Sequence, residues 1–219
     1  MSVPTPLPRR GWTALTRQLA LYRLADKQFA FMWEPPPDGE WVAIDCEATG
    51  LSVQRDEIVA IGAVRIVGSR LLTSERLELL VKPSRAISPD AVRLHGLRTR
   101  DVAQGLPIGE AMQRLMRFIG SRPLVGYYLD FDRGLINRAL APIIGVALPQ
   151  PRFEVSAMYY EWKFGQLPAY KQQGNVTIDL RFASMLQDLG LPVRDTHTAV
   201  DDAVMAGLAF LKLERLLGR

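Results

Sequence analysis

Short apolar runs bounded by turn residues predict a β-sheet that begins near residue 41. The segment 41–46 predicts one short strand, and the apolar segments 58–67 and 71–81 predict two longer ones. Gly68 and Ser69 form the turn that joins the last two. Because strands with short links pair with their neighbours in sequence, we expect these three to form an antiparallel meander.

The apolar spacing changes to a helical period in the second half of the chain. Residues 108–119 predict an amphipathic helix, with apolar positions three and four residues apart. The other predicted elements are a strand at 123–128 and helices at 132–140, 156–164, 177–189 and 199–217. Together they predict an α/β fold, in which a mixed central sheet is flanked by helices on both faces.

Residues 1–39 differ from the rest and predict an N-terminal helical extension. A helical pattern at 11–33 follows three prolines, and a proline-rich linker at 34–39 ends it. The apolar stripe of this helix consists of Trp12, Leu15, Leu19 and Tyr22. Because this stripe is modest, we expect the helix to pack on the main domain at 40–219. A partner-binding or membrane-surface helix is the alternative.

Composition narrows the class of protein only a little. The 219 residues are 48% hydrophobic and 23% charged, which argues against a largely disordered chain. The formal charge of +4 favours a polyanionic partner only slightly. Cys46 is the single cysteine, so an internal disulfide is excluded. The N-terminus lacks the apolar run of a leader, and no segment reaches the roughly eighteen apolar residues of a membrane span, so we expect a soluble, cytoplasmic protein.

The first chemical signal is a pair of acidic residues at the end of the first strand. Asp45 and Glu47 are two residues apart, so their side chains lie on the same face of the strand. Two neighbouring carboxylates repel each other unless a cation neutralises them, and hard divalent cations prefer such oxygen ligands. An acidic turn exposed to solvent is the alternative for this pair alone.

The second signal is an aspartate on the buried stripe of a predicted helix. Asp132 precedes Leu135, Ile136 and Ala139 by three, four and seven residues, so it faces inward. Asp130 comes just before the predicted helix, where an aspartate usually serves as the N-cap. An inward carboxylate needs a partner, and a metal site would supply one.

The third signal is His197 together with the start of the last helix. The inward stripe of that helix consists of Ala199, Asp202, Ala203, Ala206, Phe210, Leu213 and Leu217. This pattern predicts that Asp202 is buried, whereas Asp201 lies on an exposed face with basic residues. His197 lies in the loop before the helix, and beside metal carboxylates it becomes a candidate base. Alone, it would be an ordinary polar loop residue.

These motifs, in this order, resemble those of the DEDDh 3′→5′ exonucleases, and the resemblance covers residues 41–217. The matching segments are 44–51, 87–97, 125–132 and His197-x-Ala199-x-x-Asp202. The resemblance implies a ribonuclease H-like fold and a substrate with a free 3′ end, which we expect to be single-stranded nucleic acid. Nucleoside monophosphates would be the product.

The same resemblance assigns roles to individual residues. It implies that Asp45, Glu47, Asp132 and Asp202 hold two Mg²⁺ or Mn²⁺ ions, with His197 as the general base. The expected substrate contacts are Ala48, Thr49, Gly50, Leu51, His95 and Tyr128. This chain departs from the family at Tyr127 and Tyr128, where His-Asn is usual, at Ala48, which replaces a frequent threonine, and at Ser156, where an aspartate is common.

Several of these contacts have a structural alternative. His95 would either border the terminal nucleotide or bond to the backbone of its own loop. Tyr127, Tyr128 and Tyr159 would stack on bases or pack in the protein. Arg93, Arg98 and Arg100 form a basic cluster that suits phosphates and suits an exposed charged loop equally well.

Two other functions are compatible with the sequence. A binding module would hold nucleic acid or a partner without cleaving it, although the complete carboxylate set argues against it. An interaction subunit of a larger machine would use residues 1–39 as its docking element. The sequence does not distinguish DNA from RNA, and it indicates neither the preferred strandedness and length nor the oligomeric state.

Overall fold

One five-stranded mixed sheet forms the centre of the described chain. The structure, a computed structural model, describes residues 14–172, 176–193 and 198–218. In chain order the strands are β1 (Glu40–Ala48), β2 (Ile58–Val67), β3 (Arg70–Leu80), β4 (Leu124–Gly126) and β5 (Arg152–Glu154). Their order in the sheet is β3-β2-β1-β4-β5. β1, β2 and β3 pair antiparallel, which confirms the predicted meander, and β4 and β5 add in parallel.

Helices cover both faces of this sheet. The α-helices of the described residues are α1 (Ala14–Arg23), α2 (Pro89–His95), α3 (Ile108–Ile119), α4 (Leu129–Ile144), α5 (Val155–Gly165), α6 (Ala169–Gln172), α7 (Phe182–Asp188) and α8 (Ala199–Leu216). The bounds of β2 and α3 are those that the apolar spacing predicts. The short elements β5, α2 and α6 were not predicted, and α4 begins three residues earlier than expected.

Strand β1 is buried on both faces and separates two apolar cores. Val42 and Ile44 pack into the core that also contains side chains of α3 and α4. Ala43 points the other way, into the core formed with α5 and α8. Asp45 and Glu47 follow Ala43 at intervals of two residues, so they lie on the face that α8 covers.

The N-terminal helix differs from its prediction in two respects. The helical pattern at 11–33 is broken: α1 ends at Arg23 and a separate 3₁₀ helix runs over Lys27–Trp33. The predicted inward stripe is wrong for Leu15, Leu19 and Tyr22, which are all exposed, while Trp12 lies outside the described residues.

The buried side chains of this region come from the segment after α1. They are Leu24, Phe29, Met32 and Trp33, all of which join the core on the α3–α4 face of the sheet. Burial of these four side chains removes their apolar surface from water, and they form this part of the core without Leu15, Leu19 or Tyr22. The boundary at residue 39 stays a prediction. No helix in the described ranges has the length and apolar character needed to cross a bilayer.

Candidate active site

The predicted acidic pair lies at the end of β1, where the neighbouring strand β4 has already stopped. β4 pairs with β1 at Val42 and Ala43 and ends at Gly126, so the carboxyl end of β1 extends beyond it. Asp45 is half-buried and Glu47 is buried. Their side chains share one face, as the interval of two residues predicts.

Asp202 joins this pair from the first turn of α8. One carboxylate oxygen from each of Asp45, Glu47 and Asp202 lies within 4.8 Å of the other two. Asp202 is held in place by helix geometry, since its backbone N–H donates to the carbonyl of Thr198 at 2.9 Å. Three acidic side chains from two distant segments of the chain therefore meet at one point.

The predicted contrast between Asp201 and Asp202 is only partly correct. Both are half-buried, although Ala199 and Val200 of the same turn are buried, because Asp202 lines an open cavity. Asp201 forms hydrogen bonds with Thr198. The backbone N–H of Asp201 donates to the Thr198 hydroxyl, and that hydroxyl donates to the Asp201 carboxylate at 2.8 Å. Thr198 thus caps α8 and holds Asp201, whereas Asp202 belongs to the acidic cluster.

Asp132 approaches the cluster from α4 and lies deepest. It is only 3% exposed, and its carboxylate accepts the backbone N–H of Cys46 at 2.9 Å. The predicted inward orientation of Asp132 is confirmed. Asp130 is not an N-cap, because α4 begins at Leu129; it is exposed and forms an ion pair with Arg152 instead.

Burial and mutual repulsion disfavour the charged forms of these acids. Burial, and then the charge of Asp202, raises the pKa of Glu47 to about 7. Burial is also the largest cause that raises the pKa of Asp45 well above its usual range, followed by the charges of Asp132 and Glu47. The pKa of Asp132 is raised by burial despite the hydrogen bond from Cys46.

A cavity of about 400 Å³ opens above the acidic cluster. None of the described residues that line it is an arginine or a lysine. Its wall is apolar and includes Leu51, Leu94 and Tyr128, all of which are exposed. Carboxylates in a cavity without a basic side chain require a counter-charge to be ionised together, and their oxygen atoms are the ligands that Mg²⁺ and Mn²⁺ prefer. The donor set therefore fits a divalent metal.

The predicted contacts that follow β1 divide into two groups. Ala48, Gly50 and Leu51 line the cavity. Thr49 does not line it: the Thr49 hydroxyl donates to Asp56 at 3.0 Å and accepts the backbone N–H of Glu57, also at 3.0 Å. Thr49 therefore stabilises the loop beside the site, and any contact of its side chain with substrate stays a prediction.

His95 lines the cavity, but the backbone uses both of its ring nitrogens. The N–H of Leu97 donates to Nδ1, so Nε2 carries the proton and donates to the carbonyl of Ala48, with both bonds at 3.1 Å. Burial lowers the pKa of His95, which favours this neutral form. The geometry therefore supports the structural alternative, in which His95 ties α2 to the end of β1.

The three candidate stacking tyrosines have different surroundings. Tyr127 donates to the carbonyl of Leu180 at 2.9 Å and stacks on Phe182, with 4.5 Å between the ring centroids. Tyr159 is buried and donates to Asp188. Tyr128 is 61% exposed at the edge of the cavity. Tyr127 and Tyr128 both line the cavity, and Tyr128 is the most exposed of the three.

The basic cluster at the end of α2 and in the loop after it is largely paired with acidic side chains. Arg93 forms an ion pair with Asp90, and Arg100 forms one with Asp101. Arg98 is exposed. These contacts favour the exposed charged loop over a dedicated phosphate site.

Sequence reasoning missed Glu154, which does not line the cavity but binds the backbone at Tyr128, a residue that does. Its carboxylate accepts hydrogen bonds from the backbone N–H groups of Tyr128 and Leu129 at 3.1 and 2.9 Å. It also accepts the backbone N–H and the hydroxyl of Ser156. Tyr128 has φ = 54°, and among the described residues it is the one non-glycine with positive φ. The available signal was weak: an acidic residue at the start of a helix.

His197 lies outside the described residues, directly before the cap residue Thr198. Its role as general base stays a prediction.

Comparison with known proteins identifies the family. A sequence model of RNase_T, described as exonuclease, matches residues 42–210. The chain belongs to this exonuclease family. The family membership that the motifs predicted is thereby confirmed.

Relatives of this exonuclease domain include proteins of bacterial replication. The DNA polymerase III epsilon subunit of Aquifex aeolicus is 26% identical over 177 residues, which cover 80% of this chain and 81% of that protein. An epsilon-like protein of Rhodobacter capsulatus is 32% identical over 178 residues, but the match covers only 23% of it. The PolC-type DNA polymerase III of Thermotoga maritima is 26% identical over 180 residues, which are 12% of its length.

Among solved structures, the exonuclease domain resembles E. coli exonuclease I in complex with a dT13 oligonucleotide. The TM-score is 0.63 at 16% identity, and the match covers 81% of this chain and 41% of that one. The ribonuclease H-like fold expected from the motifs is confirmed.

Proposed function

We propose that this chain is a metal-dependent 3′→5′ exonuclease that hydrolyses the terminal phosphodiester bond of nucleic acid and releases nucleoside monophosphates. The observation that supports it most directly is the meeting of Asp45, Glu47 and Asp202 within 4.8 Å at the floor of a cavity. Membership of the exonuclease family agrees with this chemistry.

The acidic residues have different parts in the proposal. Asp45, Glu47 and Asp202 would hold two Mg²⁺ or Mn²⁺ ions, and Asp132, which lines the same cavity, would support the second ion directly or through water. When bound, such ions lower the pKa of water and neutralise charge on the phosphate. His197 would take the proton of the attacking water, a role typically worth about 10²–10⁴-fold in rate.

The cavity favours an unpaired end as substrate. Its volume of about 400 Å³ lies near the lower end of the range of small-ligand sites, which suits a single nucleotide. The wall formed by Leu51, Leu94 and Tyr128 offers apolar contacts to a base, and a base inside a duplex is already stacked and paired. E. coli exonuclease I, with the same fold, binds a dT13 oligonucleotide. A single strand with a free 3′ end is therefore the proposed substrate.

The N-terminal extension is the proposed site for a protein partner. The exposed apolar side chains of α1 face solvent, and residues 14–41 precede the segment that the family model matches. Copurification or size-exclusion chromatography with replication proteins, using the full chain and a Leu15→Ser/Leu19→Ser double variant, tests this role separately from catalysis.

The direction of digestion and its dependence on metal are tested on one oligonucleotide that is labelled at either its 3′ or its 5′ end. With Mn²⁺, the 3′-labelled strand should release its label at once as a mononucleotide, while the 5′-labelled strand should shorten through a ladder. Chelator and Asp45→Asn should each abolish both. Activity of Asp45→Asn equal to that of the parent would contradict the assignment.

Calorimetric titration with Mn²⁺ separates the enzyme from a binding module. An enzyme must take up the metal, and Asp45→Asn and Asp202→Asn should weaken its affinity. Parallel digestion of single-stranded DNA, double-stranded DNA, RNA and dinucleotides then establishes the preferred substrate.

A further inference from the structure

Gly62 lies where the start of α8 crosses the sheet. In the ladder between β1 and β2, Gly62 is the direct partner of Asp45. A Cβ atom built on Gly62 would lie 2.1 Å from the carbonyl carbon of Ala199 and 2.2 Å from the nitrogen of Val200. Both atoms belong to the backbone of the first turn of α8. The first turn of the helix therefore rests on a strand position that has no side chain.

This contact is coupled to the acidic cluster through a short rigid path. Asp202 is three residues after Ala199 and belongs to the same helical turn, closed by its bond to the carbonyl of Thr198. Further along the helix, Ala203 and Ala206 are buried against the sheet, so α8 approaches closely throughout. The distance between the first turn of α8 and β2 therefore determines the distance between the carboxylates of Asp202 and Asp45.

We infer that Gly62 is a positioning residue of the active site: its lack of a side chain lets the first turn of α8 descend onto β2 and places Asp202 in the cluster. This inference rests on the proposed function. A methyl group at Gly62 must move backbone atoms by more than about 1 Å to reach ordinary contact, because no flexible side chain there can give way. Misplacement of that size can cost about 10²-fold in rate.

Gly207 provides a matched control on the same helix. A Cβ atom on Gly207 would approach Cδ1 of Leu71 at 2.6 Å and Cβ of Ala43 at 3.3 Å. The closest atom is the end of a flexible side chain, which can rotate away. Gly207 also lies five residues beyond Asp202, so a local adjustment there leaves the first turn in place. Gly62→Ala and Gly207→Ala thus make the same chemical change at two contacts of α8 with the sheet.

The test compares these variants by Mn²⁺ affinity, by kcat and KM on a single-stranded oligonucleotide, and by circular dichroism. Gly62→Ala should fold, bind Mn²⁺ more weakly and lose about 10²-fold in kcat with little change in KM. Gly207→Ala should retain kcat and Mn²⁺ affinity. Equal effects of the two variants would show that Gly62 serves packing alone and would overturn the inference.

A compensating substitution gives a readout that loss of stability would not produce. Glutamate is one methylene longer than aspartate, so Asp202→Glu should restore part of the kcat of Gly62→Ala, while it lowers kcat in the parent. Absence of this rescue would contradict the positioning role. If Gly62→Ala does not fold, Ala203→Ser enlarges the buried position of α8 directly after Asp202, and the same rescue by Asp202→Glu is required.

The arms of this experiment also separate the two proposals. A parent protein that neither binds Mn²⁺ nor shortens the strand contradicts the proposed function and the role of Gly62 with it. An active parent with an unaffected Gly62→Ala variant contradicts only the positioning role.

Discussion

The carboxylate of Asp132 accepts the backbone N–H of Cys46 at 2.9 Å, and this bond joins α4 to the end of β1 between the two acids Asp45 and Glu47. The N–H of Cys46 lies beyond the last residue of β4, so no strand partner on that side replaces the carboxylate. Asp132 therefore combines two functions: it satisfies a buried backbone donor, and it adds negative charge to the proposed metal site.

Two substitutions of Asp132 should separate these functions. Asp132→Asn keeps an oxygen for the N–H of Cys46 but removes the charge, so stability without metal should hold or rise while activity is lost. Asp132→Ala leaves that N–H without its partner and should lower the free energy of unfolding by about 1–3 kcal/mol. Urea unfolding in chelator, beside the exonuclease assay, checks both. Equal destabilisation by the two variants would contradict a structural role for this bond.

The stability of the metal-free protein should fall as pH rises from about 5 to about 7. Burial and then Asp202 raise the pKa of Glu47 from 4.5 to about 7, and the pKa of Asp45 is raised as well. In this range the unfolded chain has released protons that the folded protein still binds, so ionisation favours unfolding.

Thermal unfolding in chelator at pH 5 and at pH 7.5 checks this dependence. The midpoint should be higher at pH 5, and saturating Mg²⁺ should remove the difference because it stabilises the ionised carboxylates. Glu47→Gln should flatten the dependence without metal. If the unfolding midpoint of the parent protein in chelator rises steadily with pH, the pKa values of these acids are not raised by folding.

Loss of the Tyr128 ring should weaken binding of a single strand. The ring is exposed at the cavity, and a stacked base contributes about 1–3 kcal/mol, so Tyr128→Asn should raise KM roughly tenfold. Asparagine is chosen because it tolerates the positive φ at this position. Tyr128→Phe, which retains the ring, is the control and should behave as the parent. An unchanged KM for Tyr128→Asn would remove Tyr128 from the substrate site.

Glu154 should act through Tyr128 without touching the substrate. Its carboxylate accepts the N–H groups of both Tyr128 and Leu129, and a glutamine has one acceptor oxygen in place of two. Glu154→Gln should therefore destabilise the fold by about 1–3 kcal/mol and raise KM. In the Tyr128→Asn background the effect on KM should disappear, whereas the loss of stability should persist. A further rise in KM there would argue for direct contact between Glu154 and substrate.

The sequence pattern correctly predicts the helices and strands that are stabilised mainly by burial of their own apolar residues. The continuous apolar run of β2 and the amphipathic period of α3 agree with the observed bounds, because β2 is buried on both faces and α3 on one. The start of α4 was misplaced because its cap is Tyr128, an unusual residue in the left-handed region that Glu154 holds from a distant strand. The stripe of α1 was misassigned because Phe29 and Trp33 occupy the core in its place.

The sequence alone determined the faces on which the acidic residues lie: the spacing of Asp45 and Glu47, the inward position of Asp132 and the first-turn position of Asp202 follow from the periods of strand and helix. Tertiary structure decided which atoms meet. Three contacts join segments that are far apart in the chain. They are the cluster of Asp45, Glu47 and Asp202, the hydrogen bond from Cys46 to Asp132, and the close contact of α8 with Gly62. A periodic pattern specifies the face on which a residue lies, but distances between faces depend on the packing of the whole core.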